Sequence, residues 1–137
     1  MIPKFIVALL RNEAPTVHGD GEQSRDFTYI DNVVDANLLA AAAPDVAGQT
    51  FNVACGERIS LNDLLGELRT IIGTEVEATY VEARPGDVKH SLADIGRAEE
   101  MLGYRPAVSF SEGLRRSVAY LRERAEIDGP MAANRRR

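Results

Sequence analysis

Apolar residues recur at helical spacing from the start of the chain, with Ile2, Phe5, Ile6, Leu9 and Leu10 forming one stripe before Pro15. The pattern predicts a helix over residues 2–11 that begins almost at the first residue with no capping residue ahead of it, as in a segment cut from a longer polypeptide. Thr16-Val17-His18 is a short extended run. It leads into the turn Gly19-Asp20-Gly21, which Glu22, Gln23 and Ser24 prolong until Arg25-Asp-Phe-Thr-Tyr-Ile opens a second β-rich run. Asp31 is placed to cap a helix over residues 31–43, stopped by Pro44. Only Asn32, Asp35 and Asn37 interrupt the apolar character of this helix, so it requires cover on most sides.

Residues 49–54, QTFNVA, read as a buried strand with Phe51 and Val53 on one face. Ser60 starts the best-signalled helix. Asp63 stands at N3 for a capping box, Ile59 and Leu64 are spaced for a hydrophobic staple, and Leu61, Leu64, Leu65, Leu68, Ile71 and Ile72 form one stripe before Gly73. Val76, Ala78 and Tyr80 alternate with polar residues, as in a strand open to water on one side, and the polar loop EARPGDVKHS comes next. A short helix is expected over residues 94–102, ended by Gly103 and Pro106. Ser109 with Glu112 marks a second capping box for a last helix ending near Glu126, with Phe110, Leu114, Val118 and Leu121 inward. Residues 127–137 have little to bury and are expected to form a disordered tail.

Composition narrows the classes of partner. At 137 residues, 45% hydrophobic and 27% charged, the chain suits one soluble globular unit. A formal net charge of -5 argues against a general nucleic-acid or membrane-surface binder, so an anionic ligand must be met by a local basic site. The single cysteine, Cys55, cannot form an internal disulfide and fits a reducing cytoplasm. The N-terminal apolar run is too short to span a bilayer and lacks a small-residue cleavage site.

Most candidate chemistry has a plainer reading. GDGEQS has the spacing of a dinucleotide fingerprint with Ser24 in the third place, but that motif opens a helix, whereas a strand-like run comes next here; the segment reads as a tight turn. His18, His90 and Cys55 lack metal-ligand spacing, Cys55 has no identifiable base, and Arg135-Arg136-Arg137 reads as a solvated tail. Arg25 and Arg84 remain. Each sits in a glycine-containing loop beside an acid, Arg25-Asp26 and Arg84-Pro-Gly-Asp87, and two guanidinium forks could grip a diphosphate. The competing reading, which spacing alone favours, pairs each arginine with its neighbouring aspartate as a surface bridge worth little.

The ordered motifs IPKFI, TVHGDGEQSRDFTYIDNVVDANLLA, FNVACGERISL, RPGDVKHSLADI and LGYRP, followed by an SEGL helix, tip that balance. Over residues 2–121 the chain resembles the C-terminal half of extended short-chain dehydrogenase/reductases. Within these it is most similar to NAD-dependent nucleotide-sugar epimerases of the UDP-glucose and UDP-N-acetylglucosamine 4-epimerase type. The resemblance implies an α/β fold over residues 1–126, the substrate-binding portion without the N-terminal Rossmann domain. It further implies that Arg25 and Arg84 bind the diphosphate of a UDP-sugar and that Asp87 binds the ribose hydroxyls. Thr16 and His18 would lie where the strand passes the uracil, and Phe27 would take the place of an aromatic beside the nucleoside. Asn32 after Asp31 departs from the family's double aspartate, with no consequence expected.

Such enzymes hold NAD on the Rossmann domain and use a tyrosine with a lysine four residues later. Tyr29, Tyr80, Tyr104 and Tyr120 are followed at that position by Val33, Arg84, Val108 and Arg124, so no catalytic residue carries over. The expectation is a UDP-sugar-binding half of a 4-epimerase, binding no cofactor by itself and inactive until a Rossmann half is supplied. The intact family is usually homodimeric and inverts C4 of a UDP-hexose or UDP-N-acetylhexosamine. The alternatives are a non-catalytic UDP-sugar-binding module, a truncated interaction fragment, or, within the family, a portion of a dehydratase or decarboxylase.

Overall fold

The computed structural model describes residues 1–127. In chain order the elements are α1 (Ile2–Leu10), β1 (Thr16–His18), β2 (Ser24–Arg25), α2 (Ile30–Ala42), β3 (Ile59–Ser60), α3 (Leu61–Ile72), β4 (Thr79–Val81), α4 (Gly96–Leu102) and α5 (Phe110–Ile127). The main core forms where the stripes of three helices meet: Phe5, Ile6 and Leu9 of α1, Leu61, Leu64, Leu65 and Leu68 of α3, and Leu114 and Val118 of α5. Each such buried apolar side chain contributes about 1.5–3 kcal/mol.

Two small ladders lie on this core. β1 runs parallel to β4 with Val17 opposite Tyr80 and His18 opposite Val81, and β2 runs antiparallel to β3 with Arg25 opposite Ile59. The first register starts the loop after β4 beside His18. Gly19 N–H extends the ladder to the Val81 carbonyl at 2.9 Å.

Ser60 caps α3 as expected, its Oγ accepting from Asp63 N–H at 3.0 Å while the Asp63 carboxylate accepts from Ser60 N–H at 3.3 Å. Asn62, in the first turn of α3, clamps the glycine turn: its amide donates to the Asp20 carbonyl at 3.2 Å and to Glu22 Oε1 at 2.6 Å, and Tyr80 O–H donates to its Oδ1 at 2.8 Å. A Cβ on Gly21 would stand 2.0 Å from Asn62 Oδ1, which explains the glycine there.

A second, smaller core joins Ala36 of α2 to Ala98 and Leu102 of α4 and to Tyr104, whose hydroxyl donates to the Ala54 carbonyl at 2.9 Å. Asn32 of α2 is fully buried. Its Oδ1 accepts from Ala107 N–H at 3.0 Å and Val108 N–H at 2.9 Å, and its Nδ2 donates to the Val108 carbonyl at 2.8 Å. The departure from a second aspartate therefore has a consequence after all, since a carboxylate could not make the donated bond.

Other expectations shift. α2 begins at Ile30 with Tyr29 ahead of it and no side-chain cap; the Asp31 carboxylate instead pairs with Arg116 of α5 at 2.9 Å. Of the second β-rich run only its first residue, Arg25, pairs, in β2 with Ser24 from the turn ahead of it, and residues 49–54 form no strand. Their apolar pattern reports burial, with Phe51 and Val53 packed on the smaller core, but a ladder needs a neighbouring edge and none lies along them among the described residues. The short helix starts at Gly96, whose N–H is met by the Asp94 carboxylate at 2.9 Å. Only half of the second capping box forms, because the Glu112 carboxylate turns to Arg116 at 2.8 Å. α5 reaches Ile127, one residue into the expected tail, and residues 128–137 lie outside those described.

The outer face of α2 carries Ile30, Val34 and Leu38 in one row, 61%, 48% and 64% exposed. No described helix is long and apolar enough to cross a membrane.

Candidate functional site: a cleft beside strand β1

Between α1 and the β1–β4 ladder lies a cleft of about 500 Å³. β1 contributes Thr16 and His18, and the loop after β4 contributes Arg84 and Asp87; Lys4, Phe5 and Ala8 of α1 face them. Arg25 and Phe27 do not line it. Arg25 sits behind, tied to Asp87, while Phe27 stacks on Phe110 with ring centroids 5.8 Å apart, packed on the main core.

Neither arginine forms a bridge with the aspartate nearest in sequence. Asp26 accepts from the Cys55 and Gly56 N–H groups, both at 3.0 Å, and so fixes the chain after residue 54. Arg25 instead reaches across the chain to Asp87 Oδ1 at 3.2 Å and donates to the Ser24 and Lys89 carbonyls at 2.8 and 3.4 Å. Arg84 donates to His18 Nε2 at 3.0 Å. Ser24 contacts His90 Nδ1 at 2.9 Å and the Ser24 backbone bonds to Lys89 and Ser91, laying the exposed loop over β2. The loop is thereby held at both ends of the Arg84–Asp87 segment.

Lys4 and Gln23 also line the cleft, and sequence reasoning passed over both. A signal was present for Lys4, because residues four apart share a helix face and Ala8 lines the same wall. Its ammonium gives the cleft a second cation besides Arg84. Cys55 is unsuited to nucleophilic work: burial first, then the charge of Asp26, pushes its thiol pKa up, against hydrogen bonds from Asn32 and Thr28 that act the other way. Among the described residues no three His, Cys, Asp or Glu side chains are grouped to hold a metal ion.

Comparison with known proteins gives this arrangement a context. The family described as GDP-mannose 4,6 dehydratase matches residues 1–117. A UDP-glucose 4-epimerase of Mycolicibacterium smegmatis is 34% identical over 122 residues, 89% of this chain and 39% of that protein. A UDP-glucuronic acid decarboxylase of Arabidopsis thaliana is 31% identical over 83% of this chain and 33% of its own. Among solved structures, the UDP-glucose 4-epimerase of Thermotoga maritima with UDP-glucose superposes with a TM-score of 0.82 at 41% identity, covering 88% of this chain and 38% of that one. The UDP-glucuronic acid 4-epimerase of Bacillus cereus, in complex with UDP-glucuronic acid and NAD, gives 0.84 at 32% identity over 90% and 40%. The chain thus spans about 40% or less of the length of these proteins.

NAD is present in the Bacillus cereus complex. In this chain the glycine turn of fingerprint spacing runs into β2 and not into a helix. What the chain does share with these proteins is its fold, over nearly its whole length: it belongs to the GDP-mannose 4,6-dehydratase family, as a C-terminal portion of an extended short-chain dehydrogenase/reductase of the NAD-dependent epimerase/dehydratase type.

Proposed function

We propose that this chain is the nucleotide-binding portion of a UDP-sugar 4-epimerase. The observation that carries the reading is the convergence of Thr16, His18, Arg84 and Asp87, from two segments far apart in sequence, on one cleft in a chain of net charge -5. Arg84 meets the diphosphate as a planar fork, with Lys4 adding charge. Arg25, expected from the sequence as a second fork, lies outside the cleft lining and acts through Asp87, which accepts from the ribose hydroxyls while remaining tied to Arg25. Thr16 and His18 border the base. Phe27, stacked on Phe110, supports the nucleoside side of the site from the core.

Inversion at C4 requires a hydride carrier against the sugar and a base at the hydroxyl. No tyrosine in this sequence is followed four residues later by lysine. The chain accordingly binds UDP-sugars without turning them over, and binding energy for the nucleotide alone does not speed a step whose reacting groups are elsewhere. The test is a C4-epimerase assay on the chain alone and on the chain co-expressed with the Rossmann portion of a related enzyme. Turnover confined to the mixture supports the reading; turnover by the chain alone contradicts it.

A further inference from the structure

We propose that His18 is a positioning residue for Arg84, acting as a neutral hydrogen-bond acceptor that aims the guanidinium into the cleft; the inference rests on the reading of that cleft as a UDP site. A guanidinium can only donate, so in the 3.0 Å contact between Arg84 and His18 the imidazole Nε2 must accept. The ring proton then sits on Nδ1, which faces the Glu82 carbonyl at 3.3 Å and donates to it. The ring is fixed at both nitrogens, and the tautomer is set by its partners.

Arg84 needs such an anchor. Residues 81–92 are exposed throughout, and Gly86 in the same loop has φ 80°, so neither burial nor regular structure restrains the side chain. A free arginine loses rotamer entropy on meeting an anion, and one held in place beforehand loses less. The β1–β4 register supplies the anchor, because it sets His18 opposite Val81 and delivers Arg84 three residues later to the imidazole. One amino group of the guanidinium is engaged by His18, and its other N–H donors stay available to a diphosphate.

The test is a double-mutant cycle read by calorimetry with UDP-glucose, whose diphosphate carries no proton titrating near neutral pH. His18→Phe keeps a ring and removes the acceptor; affinity is expected to fall about tenfold. His18→Gln restores an acceptor at the same reach and is expected to recover most of that loss. In an Arg84→Ala background His18→Phe is expected to have no further effect. Equal losses in both backgrounds, or glutamine no better than phenylalanine, would overturn the inference while leaving the UDP reading standing. Absence of UDP-glucose binding by the folded unaltered chain would sink both. A ligand-independent check is ¹⁵N NMR of the His18 ring, expected to show Nδ1–H; an Nε2–H tautomer contradicts the proposal.

Discussion

Asn32 shows how much a single side chain can decide in this chain. Its amide both accepts from and donates to residues 107–108, at full burial, and so stitches α2 to the segment before α5. Asn32→Asp is expected to destabilise the fold by about 1–3 kcal/mol, because the two backbone N–H groups still meet an oxygen but the Val108 carbonyl loses its donor and faces a carboxylate. Thermal melts at neutral pH check this. Cys55 and Tyr104, nearby, both have raised pKa values, each chiefly from burial. In the unfolded chain they lose their protons at the ordinary values of 9.0 and 10.0, while the folded chain still holds them, so stability is full below about pH 9 and falls as pH rises above it. Melts between about pH 7 and 10.5 should show that fall, and Cys55→Ala should make its onset shallower. Arg84, singled out by loop chemistry, and His18 and Asp87, singled out by the family resemblance, come together on one cleft. The Arg25–Asp87 pair was not legible in the sequence, because it depends on a loop that Ser24 and His90 fasten over β2, a contact between residues far apart in sequence.

At the scale of elements, local signals succeeded where an element's partners are also local. α3 carries its own cap, stripe and glycine stop, and the structure reproduces all three. Ser60→Ala should therefore cost about 1 kcal/mol of stability, measurable by urea denaturation. Signals failed where a distant group competes. Asp31 looked like a cap and went to Arg116; Glu112 looked like the reciprocal half of a capping box and went to the same arginine, which also lies over the Tyr29 ring at 5.6 Å. Residues 49–54 have the apolar pattern of a strand, but pattern fixes which residues are covered and a ladder requires an edge beside them. The partial cover of Phe51 and Val53 without strand pairing is a tertiary outcome that no window of sequence contains.

For the molecule as a whole, the face of α2 sets the behaviour to expect in solution. Ile30, Val34 and Leu38 lie in one row, each about half exposed or more, with Leu39 beside them. Contiguous apolar surface of this kind binds hydrophobic dyes and drives association. The purified chain is expected to enhance dye fluorescence in the folded state and to associate with rising concentration, and Leu38→Glu should suppress both. A monodisperse chain with no dye response would contradict this account of the face.

The central claim, that the cleft beside β1 and β4 holds the UDP end of a nucleotide sugar, is tested most directly by calorimetric titration of UDP-glucose into the chain and into Arg84→Lys. The account predicts saturable binding at one site, weakened about tenfold or more by the lysine, which keeps the charge and loses the planar fork. Binding unchanged by Arg84→Lys, or no binding by the folded chain, would contradict it.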